Sequence, residues 1–173
     1  MYRYRYETFG SRFLAAIIDG LLLRLVSQYL ISTLKLDYDN DTFALVIRVA
    51  LFYSYSILLH YRFGQTLGKK IAKVIVVSNS DESQLINLWN AFKRDSVGIF
   101  FSGLALLAKV YDIHNSFTVA LIGYSISAWM WAELITLFFN NKMRAIHDFL
   151  GNSVVIDSRV FVPASPSSNS SAD

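Results

Sequence analysis

The sequence contains no cysteine, which excludes disulfides, thiolate metal sites and thiol nucleophiles together. Proline is almost as scarce, and both copies, Pro163 and Pro166, sit in a Ser-rich tail. Catalytic signatures are missing as well. Gly64 to Lys70 lacks the G-x-x-x-x-G-K-[ST] spacing of a phosphate loop and follows no strand, so it does not read as a nucleotide site. His147-Asp148 looks like half of a metal-dependent phosphohydrolase pair. The remaining histidines, His60 and His114, are expected near opposite membrane faces, which leaves too few ligands for a metal. No Ser-His-Asp set and no pair of glycosidase-type acids can be assembled. The chain therefore reads as non-enzymatic, without a cofactor or a metal.

Apolar stretches, by contrast, are abundant. The hydrophobic fraction is 54% and the aromatic fraction 15%, above the apolar share of ordinary soluble domains. At 173 residues one domain is the default. Ser11 to Leu34 is long enough to cross a bilayer, which takes roughly 20 apolar residues. It nevertheless carries Arg12, Asp19 and Arg24. Arg12 and Asp19 are seven apart and return to nearly the same helical face, with the small Ala15 and Ala16 between them. Ionisable groups at such depth cost about 2.5–3.5 kcal/mol each, so they face protein or water and pair there. The net charge of +3 raises nucleic acid as a partner, but the basic residues flank apolar spans, which points to orientation in a membrane instead.

In chain order, residues 1–10 form a basic and aromatic leader, read as an interfacial anchor. A secretory signal peptide is excluded, since the apolar region is too long and no small-residue cleavage site follows. Spans are expected at about 13–34, 43–61, 96–111 and 117–139, within a membrane domain over 11–157, followed by a disordered Ser/Pro-rich tail at 158–173. Lys and Arg number three up to Arg12, one in 35–42, six in 62–95, one in 109–116 and three after the last span. That alternation fits four spans with both termini cytoplasmic.

Residues 62–95 are more than a connector. Val74–Val77 is a β-branched run, SNSD after it reads as a turn, and Val154–Ile156 is a second strand-like run on the same membrane side. Leu85, Leu88, Trp89 and Phe92 recur at helical spacing and end in Lys93 and Arg94, an amphipathic interfacial helix. The expected fold is an all-α membrane protein: a four-span helical bundle with a small cytoplasmic cap made of a short β pair and that helix. Lys69, Lys70 and Lys73 are expected at anionic lipid headgroups, each contributing about 1 kcal/mol.

Three blocks resemble the RDD family of bacterial multi-pass membrane proteins, named for one arginine and two aspartates. Arg12-Phe-Leu-Ala15-Ala16-Ile-Ile-Asp19 resembles the opening R-x-x-A-x-x-x-D pattern. Gly64-Gln-Thr66-Leu67-Gly68-Lys69 with Val74–Val77 resembles the G-x-T-x-G-K block. Arg144 to Val155, with His147 and Asp148, resembles the closing block, although Ser153 stands where threonine is usual. Arg94 also falls where the family often has an arginine. The resemblance covers roughly residues 9–157 and implies a membrane location and a transport role.

Within that frame the charged residues of interest are Arg12, Asp19, Arg24, Arg48, Glu133 and Asp148. Asp19 and Glu133 each lie six residues inside their spans, about 9 Å deep, where they could share a proton or bind a cation. The plainer reading has Arg24 and Arg48 neutralise them and lock the bundle. Asp148 is expected to cap a turn or pair with Arg12. Two functions stay open: movement of a small ion, proton- or cation-coupled, through the charged interior, and a non-catalytic accessory or assembly subunit of a membrane complex. Four spans make a narrow pathway, so transport calls for a homo-oligomer or other membrane subunits.

Overall fold

A computed structural model describes residues 5–39, 41–113 and 116–163. Its elements are α1 (Phe9–Thr33), α2 (Thr42–Phe63), α3 (Leu67–Ile71), β1 (Val74–Ser78), α4 (Leu88–Val110), α5 (Ser116–Phe138), α6 (Ile146–Leu150) and β2 (Ser153–Asp157). α1, α2 and the Phe117–Phe138 part of α5 are long and apolar enough to cross a membrane. Phe13, Leu25, Tyr29, Phe117, Tyr124 and Trp131 point outward from them, as suits helices whose solvent is hydrocarbon.

Local chemistry sets the element ends. Asp41 caps α2 by accepting from the Phe43 backbone N–H at 2.7 Å. The helix stops at Gly64, whose φ of +68° is a left-handed cap. A Cβ there would lie 2.6 Å from Leu85 Cδ2, so glycine is required by space as well as by backbone angle.

The best-packed part of the molecule is the two-stranded antiparallel sheet, in which Val76 faces Val155. Val74, Val76 and Val155 pack on Ala15, Ala72, Ile86 and Ala91. The other face, Ile75, Val77, Val154 and Ile156, is covered by Tyr6, Leu85 and Phe161. Burial on both faces is why these strands read as unbroken apolar runs rather than alternating ones.

Two expectations need correction. The amphipathic helix ending at Arg94 and a separate span from residue 96 are one continuous helix, α4, and Leu85 instead bridges to Val77. The helix does not break at Lys93-Arg94-Asp95 because Arg94 turns inward and is only 6% exposed, finding its partners inside the protein. The first helix also begins earlier than expected, inside the leader. α1 begins at Phe9, Tyr6 donates to Glu82 at 2.8 Å, and Arg5 lies 3.1 Å from the same carboxylate. At the other end Ser158–Val160 forms a 3-10 turn. The rest of the expected tail, 164–173, lies outside the described residues, as do the leader's first four residues and His114.

Candidate functional site

The sheet end of the bundle gathers the buried charge. Asp148, on α6, is fully buried. Arg12 Nη1 from α1 lies 2.7 Å from its Oδ2, and Arg94 Nη2 from α4 lies 3.1 Å from its Oδ1. Its Oδ2 also accepts from the Ala145 backbone N–H at 3.2 Å, which caps α6. Burial alone would push the Asp148 carboxyl up, but Arg94, His147 and Arg12 facing it hold it well below the usual carboxylate range. One carboxylate thus joins α1, α4 and α6. Two guanidinium nitrogens, Arg12 Nη2 and Arg94 Nη1, stay buried without a partner among the described residues.

His147, the neighbour of Asp148 on α6, completes the link to α5. Its Nδ1 lies 2.8 Å from Glu133 Oε2, and its backbone N–H donates to Glu133 Oε1 at 3.1 Å. Arg94 Nη2 lies 3.1 Å from His147 Nε2. Arginine can only donate, so Nε2 must accept and the proton of the neutral ring sits on Nδ1, pointing at Glu133. A second proton on Nε2 would abolish the Arg94 bond and turn that edge toward Asp148 Oδ1, 3.4 Å away.

Asp19 follows a different logic. Its Oδ1 accepts from Tyr55 Oη at 2.6 Å and from the Gly68 backbone N–H at 2.8 Å, and its Oδ2 accepts from Thr66 Oγ1. The anion sits on the first turn of α3, where backbone donors are free. That seat exists because Gly68 has no side chain: a Cβ would lie 2.3 Å from the Ala15 carbonyl oxygen and 2.8 Å from the Asp19 carboxylate. The small residues of the first two sequence blocks let α1 and α3 touch.

The expected pairings of Asp19 and Glu133 with arginine are therefore overturned. Among the described residues no arginine lies within ion-pair distance of Asp19, and Glu133 is bound to His147 rather than to Arg24 or Arg48. The depths explain this. The carboxylates lie at the sheet end, whereas Arg24 and Arg48 line a cavity further along α1 and α2. Lys69 is also not a headgroup contact. Its ammonium meets His60 Nε2, and burial, then the charge of Arg94, pushes it well below the usual lysine range. Lys70 and Lys73 are exposed.

These groups surround a cavity of about 520 Å³ whose walls include Arg12, Asp19, His60, Lys69, Arg94 and Glu133. A second cavity of about 430 Å³ holds Arg24 and Arg48. The two share Gly20, Leu23, Phe52 and Tyr53 as walls. At that common wall Tyr53 Oη lies 3.0 Å from Ser102 Oγ, tying α2 to α4.

The arrangement defines a helical membrane protein with a polar, ion-paired end closed by a small sheet. The chain belongs to the RDD family, whose profile matches residues 6–152. No curated protein and no solved structure matches the chain.

Sequence reasoning missed Tyr55 and His60 as parts of the site and weighed His147 as a metal ligand and a member of the closing family block, not as the partner of Glu133. The polar side chains in the second half of the second span, Tyr53 to Ser56 and His60, were the available signal, since buried polar groups need partners.

Proposed function

We propose that this RDD protein moves a small ion through its interior, with the His147–Glu133 pair taking and releasing the coupling proton. The observation that carries this reading is the pair of adjoining cavities, which share four wall residues and hold ionisable groups along the bundle. Asp19 and Asp148 are saturated by fixed partners and serve as supports. His147 and Glu133 keep 34% and 15% side-chain exposure, against none at Asp148, and face the larger cavity. His147 Nε2 is the acceptor that holds Arg94, so the hydrogen bonding of this ring is tied directly to a charge lining the cavity.

In this reading α4 is a fourth span. Its charged segment, Lys93 to Asp95, lies at the sheet end, and the crossing takes the whole stretch from Ser96 to Tyr111. The basic residues of 62–95 then place the sheet and both ends of the chain on the cytoplasmic side of a bacterial cell membrane, with Lys70 and Lys73 near anionic headgroups. A four-span pathway calls for a homo-oligomer or companion subunits. No catalysis is assigned to the chain.

The competing reading is an accessory or assembly subunit whose charges only hold helices together. It draws support from Asp148, which joins three helices through protein groups alone among the described residues. Liposomes containing only this protein, given sodium, potassium and proton gradients in turn, separate the two. Flux in any arm beyond empty liposomes supports ion movement. Silence in all arms leaves the accessory reading.

A further inference from the structure

We infer that Arg24 and Arg48 form an anion site in the second cavity, fitted to a tetrahedral oxyanion, either free or as the phosphate of an anionic lipid. Neither arginine has a carboxylate within ion-pair distance among the described residues, and no acid lines the cavity of about 430 Å³ that holds both. Its polar walls are otherwise the hydroxyl-bearing Ser27, Tyr38, Tyr53 and Ser102.

Arg48 Nε is a buried donor without an acceptor among the described residues. The Arg48 guanidinium lies 4.5 Å from the centre of the Tyr38 ring, which holds the cation by its face and adds no counter-charge. Tyr38 is itself positioned by Ser27, with Oη 3.4 Å from Oγ. Arg24 is exposed in the isolated chain, so an anion can reach it from outside.

Arg24 is about 13 Å from the Thr33 end of α1 and Arg48 about 9 Å from the Thr42 end of α2. Two uncompensated cations at that depth are costly, and chains elsewhere resolve such cost by pairing. Here the chain supplies donors and positive charge without an acceptor, and a planar guanidinium fork matches an oxyanion in two bonds. The inference does not depend on ion movement, because binding is read without any gradient.

The test uses the full chain in a neutral detergent, with the thermal midpoint followed against sodium sulfate, and against sodium chloride at matched ionic strength. A second arm adds dihexanoyl phosphatidylglycerol, with dihexanoyl phosphatidylcholine as its control. A saturable rise with sulfate assigns a free oxyanion; a rise only with phosphatidylglycerol assigns a lipid headgroup. In either case Arg24→Gln and Arg48→Gln should weaken half-saturation by about tenfold or more, as expected for lost charged hydrogen bonds. Arg159→Gln, whose side chain is exposed and tied to Asp157, should leave it unchanged. Should Arg48→Gln fail to fold, the exposed Arg24 carries the comparison alone. Midpoints that follow the controls in both arms, or variants that respond like the wild type, overturn the site.

Discussion

Arg94 and Asp148 are 54 residues apart in the chain, yet Nη2 and Oδ1 meet at 3.1 Å with both side chains buried. Arg94 lies one and a half turns into α4, and Asp148 lies in the first turn of α6. The contact therefore fixes a long helix to the segment that leads into β2. Arg12 grips the other oxygen from α1, so one carboxylate sets the positions of three elements.

Asp148→Asn removes the negative charge and leaves two largely buried guanidiniums facing each other. Breaking a buried pair from one side typically costs about 3–5 kcal/mol. The thermal midpoint in detergent should fall steeply, and Arg94→Gln added to Asp148→Asn should recover part of the loss, since fewer buried charges remain unpaired. Equal stability of Asp148→Asn and wild type would contradict this arrangement.

Gly68→Ala and Gly20→Ala should move stability in opposite directions. At Gly68 the new methyl would overlap the Ala15 carbonyl and the Asp19 carboxylate, so α1 and α3 must separate, at a cost of about 1–3 kcal/mol. At Gly20 no atom lies within 4 Å of the new Cβ, and alanine gains up to about 1 kcal/mol of helix propensity. Paired melting curves check the contrast.

The dependence of stability on pH has two separable limbs. Asp148 is held well below its usual range in the folded state, so its contribution is full above about pH 4 and is lost as pH falls through the depressed value. Asp148→Asn should flatten that acid limb. Lys69 is shifted the other way for a base: the unfolded chain binds more protons between the lowered folded value and about 10.5. Stability should therefore rise with pH across that window, and Lys69→Met should remove the rise.

Much of this was legible in the sequence, for reasons that differ by residue. The apolar runs of α1, α2 and α5 show themselves because lipid imposes length and composition directly. The strand pair was readable from Val74–Val77 and Val154–Ile156, because burial on both faces leaves no polar interruption. The partners of Asp19 and Glu133 were not readable. Depth counted along one helix gives no rotation, and Asp19 is satisfied by a backbone N–H and two hydroxyls that carry no formal charge. The continuity of α4 was hidden for a similar reason. Lys93-Arg94-Asp95 looks like a water-exposed helix end until Arg94 is seen to turn toward Asp148.

Reporter fusions test the orientation. A reporter inserted within residues 79–84, beside the sheet, should be cytoplasmic, and one at 37–39 should be external. The reverse pattern would contradict the charge-based placement.

Proton movement by wild type and Glu133→Gln in liposomes probes the central claim most directly. Glutamine keeps an acceptor for the His147 backbone N–H but cannot titrate. The variant should insert, with a thermal midpoint lowered only by the one bond to His147 Nδ1 that an amide nitrogen cannot accept, while its proton-coupled flux collapses. A Glu133→Gln protein that carries the wild-type flux would contradict the assignment of the His147–Glu133 pair as the proton carrier.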